Sequence, residues 1–151
     1  MKQEDKELLL KDLCARLPYG VKCQVREDGF TYIGTLCRLE VNNNWNLLDF
    51  AESMSGLDCQ VCLSKVRPFL FPLTSITVEQ IEEINKLLKI DEDAGDWIKA
   101  NDCLGIKLFL PTGRWVEHLE PLFEWFNKNH FDYRGLIEEG LAIDAGGLNI
   151  Y

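Results

Sequence analysis

The stretch "VKCQVREDGFTYIGTLCRLEV" (Val21–Val41) decides the fold. From Val21 to Arg26 the apolar Val21, Cys23 and Val25 alternate with Lys22, Gln24 and Arg26, a period of two that predicts a half-buried strand. "EDG" (27–29) reads as a turn, because Gly29 takes the positive φ that closes a short hairpin. The returning strand carries two apolar sets, Phe30, Tyr32 and Leu36 on one parity and Ile33, Cys37, Leu39 and Val41 on the other. A β-bulge near Gly34, or burial on both faces, reconciles them.

Upstream of this hairpin, Leu9, Leu13 and Leu17 recur every four residues beside Leu10 and Cys14, which predicts an amphipathic helix over about residues 4–17, stopped by "PYG" (18–20). Downstream, "NNN" (42–44) breaks the strand, and residues 45–54 fit either a short helix or an irregular loop. "CQVCLSKV" (59–66) alternates again and predicts a third strand. "RPFLFP" (67–72) holds Phe69 and Phe71 between two prolines, outside any clear helix or strand, and is where exposed aromatics are expected. A helix then starts at Thr77, with Gln80 completing a capping box and Ile76 and Ile81 forming a hydrophobic staple; Ile81, Ile84, Leu87 and Leu88 make its buried stripe.

Residues 91–96 read as a solvated loop and "LGIKLFL" (104–110) as a short strand. Trp115, Leu119, Leu122 and Phe126 are spaced for one helix face up to about Asn129, with Pro121 either kinking that helix or opening one near Glu120. In "HFDYRGLIEEGLAID" (130–144), Asp132 is expected as the N-cap of a final helix, with Phe131 and Leu136 as its staple, Glu138 and Glu139 facing water, and His130 and Arg134 tying the junction down. The whole predicts one α+β domain over residues 1–151, a small antiparallel sheet packed with three to four helices, with 145–151 as a flexible tail.

Charge and length narrow the function classes. Sixteen basic against twenty-five acidic residues give a net charge of −9, and the cations are scattered, which disfavours nucleic acid and anionic membrane surfaces. The N-terminal "MKQEDKELLLKDLCARL" has too short an apolar run for a signal peptide or a spanning helix. The expected compartment is therefore the cytoplasm, where the six cysteines remain free thiols.

Cys59 and Cys62 are the one formal metal signature, because Cys-x-x-Cys brings two thiolates together when the chain turns between them. No second ligand pair follows at a regular spacing, and on a strand the two side chains point to opposite faces. A nucleophile triple such as Cys103, His118 or His130, and Asp132 can be drawn, as some such triple can in any chain with six cysteines and two histidines. No phosphate-binding glycine motif is present. These observations favour a non-enzymatic protein-interaction module without cofactor, with Phe69 and Phe71 as its candidate surface. The alternative is a small enzyme or metal-dependent factor using Cys59, Cys62 and a histidine.

Three segments, "EDKELLLKDLCARLPYGV" (4–21), "VRPFLFPLTSITVEQ" (66–80) and "HFDYRGLIEEGLAID" (130–144), together resemble a family of small uncharacterised proteins of gut Bacteroidales bacteria and their mobile elements and phages. The resemblance implies a cytoplasmic accessory protein of phage or mobile-element origin. It brings no activity, ligand or functional residue with it.

Overall fold

The computed structural model describes residues 1–27, 29–41, 46–51, 61–89 and 119–151. Among them are six strands in mixed pairing and three α-helices, an α+β architecture. The described chain gathers into two compact units: Met1–Leu70 with Leu136–Tyr151, and Phe71–Gly135. The expected loop at 91–96, the strand at 104–110, Trp115, and the candidates Cys59, Cys103 and His118 lie outside the described residues.

In the first unit, α1 (Gln3–Arg16) buries Leu9 and Leu13 as their spacing predicts, while Cys14 faces solvent. The Lys2 backbone N–H donates to the Asp5 carboxylate at 2.9 Å. That carboxylate and Glu4 also sit at the positive end of the helix dipole. A 3-10 turn (Leu17–Tyr19) ends the helix, and Gly20 at φ 64° supplies the left-handed residue that a side chain would strain.

The sheet is built on β1 (Lys22–Glu27) and β2 (Phe30–Val41), antiparallel with Cys23 opposite Gly34 and Glu27 opposite Phe30. Gly29 turns the hairpin at φ 90°. Beyond β2 lies β3 (Asn46–Phe50), so a strand occupies part of the segment that the sequence leaves open between helix and loop. On the other side of β1 lies β4 (Val66–Pro72), with Gln24 opposite Arg67. β6 (Ile143–Asp144) runs parallel to β4, Phe69 facing Ile143, so the sheet is mixed where an antiparallel one is expected.

A bulge at Cys37, three residues beyond the expected place, brings Leu39 of the second apolar set to the core, while Ile33, Cys37 and Val41 stay exposed. From the Leu36–Phe50 pair to the Arg38–Asp49 pair, β2 advances two residues and β3 one. Before the bulge Tyr32 and Leu36 face the core; after it Leu39 does, opposite the buried Leu48. Gly34 instead makes room for a neighbour. A Cβ there would stand 2.9 Å from Phe50 Cβ, so its missing side chain admits the phenylalanine ring.

Two strand expectations are corrected in this unit. The strand expected over 59–66 is, from Leu63 to Lys65, a 3-10 turn, and β4 begins only at Val66. "RPFLFP", expected outside any strand, belongs to β4; Pro68 lacks an N–H, yet three residue pairs still join β4 to β1. Residues 145–151, expected as a flexible tail, are tied to the sheet. Ala145 donates its N–H to the Leu70 carbonyl at 2.8 Å, Lys22 Nζ donates to the Ile150 carbonyl at 2.8 Å, and Tyr151 hydrogen-bonds to β1 and β4.

In the second unit, α2 (Val78–Leu88) begins as its sequence predicts. Thr77 Oγ1 accepts from the Gln80 N–H, the Gln80 side chain accepts from the Thr77 N–H, and Ile76 and Ile81 are both buried. Ile84 is buried and Leu88 partly so, but Leu87, expected in the stripe, is exposed. α3 (Glu120–Lys128) starts next to Pro121, which sits in its first turn where no N–H is needed. Leu122 and Phe126 face the core. Last comes β5 (Phe131–Asp132), parallel to the end of β4.

Candidate functional site: the outer face of the sheet

The register places side chains on two faces of the first unit's sheet. Toward the core point Cys23, Val25, Val66, Leu70, Leu36 and Tyr32, on the same side as Leu9 and Leu13 of α1. Toward the other side point Gln24, Arg26, Thr31, Ile33 and Arg67: Gln24 pairs with Arg67 on β4 and with Ile33 on β2, and Arg26 pairs with Thr31. Ile33 is 46% exposed, and Phe30, at the hairpin end of β2, is 77% exposed. Arg26 and Arg67 are exposed as well, and neither makes an ion pair among the described residues. Arg38, further along β2, is held by the carboxylates of Glu40 and Asp49.

The candidates named from sequence fall elsewhere. Phe69 is only 4% exposed, inside β4, and Phe71 is half-buried, its ring 5.9 Å from that of Phe131. Neither offers the exposed aromatic expected of an interaction surface. What the structure brings together is "RPFLFP" with "HFD": Phe71 pairs with Phe131 and Pro72 with Asp132, and the Phe71 N–H donates to the His130 carbonyl at 2.9 Å. The cluster around them holds Trp125 stacked on Phe131 at 5.5 Å, with Trp125 Nε1 donating to Glu83 on α2.

The helix expected after Asp132 does not form. Asp132 ends β5, and its Oδ1 accepts from the Arg134 N–H at 3.3 Å, capping a bend instead of a helix. Gly135 at φ 73° and Gly140 at φ 67° then turn the chain, with Glu138 and Glu139 exposed between them. The physical reason is backbone geometry: two left-handed glycines five residues apart leave no room for a regular helix. Leu136 is buried, but in the core of the first unit and not as a staple. His130 is buried at φ 59°, and the Arg134 guanidinium lies 4.3 Å over the Tyr133 ring.

Cys62 is exposed, with its Sγ 3.2 Å from Ser64 Oγ. That hydrogen bond, a second from the Ser64 backbone N–H and the charges of Lys6 and Lys65 hold its thiol below the usual cysteine range. Cys23 is buried, and burial pushes its thiol far up. The described residues also hold a fully buried pair that sequence reasoning misses: Arg16 donates through Nε and a terminal nitrogen to both oxygens of Asp12, at 2.8 and 3.0 Å. The i, i+4 spacing on α1 is the signal that could have found it.

No family model, curated protein or solved structure matches this chain. Among the described residues, no helix is long and apolar enough to cross a membrane.

Proposed function

We propose that this chain is a non-enzymatic protein-interaction module of the cytoplasm, an accessory protein of the mobile-element kind that residues 4–21, 66–80 and 130–144 resemble. It docks a partner protein through the outer face of β1, β2 and β4. The observation that supports this reading is Ile33, a large apolar side chain left 46% exposed in the middle of a strand, bordered by Gln24, Thr31 and Arg26, with Arg67 beyond Gln24 on β4. A central apolar contact within a polar rim is the arrangement of a protein interface. The expected partner contact is modest in area and reversible.

The test is affinity capture of the tagged chain from its own host, with quantitative mass spectrometry, for the parent and for Ile33→Asp. Proteins enriched by the parent and lost by Ile33→Asp, at an unchanged urea midpoint, support the reading. An identical protein set for both chains refutes it.

A further inference from the structure

We infer that the outer sheet face takes an extended acidic segment of a partner protein, with carboxylates at alternate positions held by Arg26 and Arg67 beside an apolar contact on Ile33. This rests on the docking reading above and adds the chemistry of the partner.

Charge is the first indication. Acids outnumber bases by twenty-five to sixteen, yet Arg26 and Arg67 have no acidic partner among the described residues. The other two arginines of this unit with ion pairs, Arg16 and Arg38, are held by Asp12 and by Glu40 and Asp49. A guanidinium keeps its charge and offers a planar fork of donors that fits a carboxylate in two parallel hydrogen bonds.

Spacing is the second. Gln24 is opposite Arg67, so Arg26, two residues further along β1, is the diagonal neighbour of Arg67. Diagonal side chains on one face of an antiparallel pair stand about 7–8 Å apart at their Cβ atoms. In an extended segment, positions i and i+2 are separated by about 6.5–7 Å and point the same way. Two carboxylates at i and i+2 therefore meet both arginines together. Arg26 is also diagonal to Ile33, which lies across from Gln24, so the apolar side chain stands beside Arg26 on the far side of β1 from Arg67. A long polyphosphate would meet the whole field of a chain of net charge −9, whereas a short acidic segment brings only a few charges to this face.

The experiment pans a displayed library of random dodecapeptides against the full-length chain. Selected peptides are then measured against the parent, Ile33→Asp and the double variant Arg26→Gln/Arg67→Gln, each checked by urea denaturation. Enrichment of Asp or Glu at alternate positions beside an apolar residue is expected. Affinity should be at least about tenfold weaker for the double variant, or about 1.4 kcal/mol, and should fall with added salt. Peptides that depend on Ile33 but carry no acids overturn the acidic partner and leave the docking face standing. Peptides indifferent to all three residues overturn both. Oligothymidylate that binds through the two arginines and displaces the selected peptides overturns the proposal in favour of a nucleic-acid surface.

Discussion

The Tyr151 hydroxyl donates to the Phe69 carbonyl at 2.8 Å and, on its other side, accepts from the Lys22 N–H at 3.2 Å. In the register that sets Cys23 opposite Pro68, Lys22 comes opposite Phe69, so a side chain from the far end of the sequence stands where a direct backbone hydrogen bond between β1 and β4 would otherwise form. The residue remains 43% exposed while its hydroxyl is withdrawn from water, and burial raises the hydroxyl above the ordinary tyrosine range.

Tyr151→Phe should lower stability by about 0.5–1.5 kcal/mol, since it removes one bridging hydroxyl and leaves a donor and an acceptor facing each other. The raised ionisation also gives a direction with pH. The contribution of Tyr151 is complete below the unfolded-state value of about 10 and is lost as pH rises beyond it, because the unfolded chain ionises first. Urea midpoints followed from pH 7 to pH 11 should fall less steeply for Tyr151→Phe than for the parent. Parallel curves would show that the hydroxyl makes no such contribution.

Asp12 and Arg16 are both 0% exposed, and each is the other's partner in a two-point ion pair. Asp12→Ala should cost about 3–5 kcal/mol, because it strands a buried guanidinium. The double change Asp12→Leu/Arg16→Met should cost far less than the single one, since it removes both charges and keeps volume on the core side of α1. Equal losses for the single and double variants, measured by urea denaturation, would contradict a pairwise origin.

Cys62 should be the first described thiol to react with iodoacetamide, and Cys23 should react only on unfolding. The pH profile of Cys62 alkylation should lie below that of a free cysteine and move up in Ser64→Ala, which removes the hydrogen bond to the thiolate. Site-resolved mass spectrometry reads both. A profile unmoved by Ser64→Ala would assign the lowering to the Ser64 backbone N–H and to Lys6 and Lys65.

How far the sequence foretold this protein depends on the range of each interaction. Thr77, Gln80, Ile76 and Ile81 were legible because the capping box and staple are made within six residues. Val21, Cys23 and Val25 were legible because one buried face imposes strict alternation. β4 was hidden because its two prolines imitate a loop, and its pairing with β1, β5 and β6 is a long-range choice with no local mark. "HFDYRGLIEE" misled for a related reason. Asp132 followed by apolar residues satisfies the rule for an N-cap, while Gly135 and Gly140 decide the backbone, and glycine tolerates both outcomes. The outer face was visible as the polar half of the β1 alternation, but only the register shows that Arg26 is diagonal to both Arg67 and Ile33.

The discontinuous first unit has a consequence for biosynthesis. When a ribosome has delivered Leu70, α1 and the strands up to β4 have been synthesised, but Leu136, Ala145 and Tyr151 have yet to be joined to the chain. At about 5–20 residues per second, the intervening segment takes on the order of 3–13 s to appear. For at least that interval, until Ile143 to Ala145 are made, the β4 backbone positions at Phe69 and Leu70 are unmatched, an open template for any strand that passes. Translation speed across residues 71–135 thus sets how long the chain must be kept from pairing with its neighbours on the same polysome.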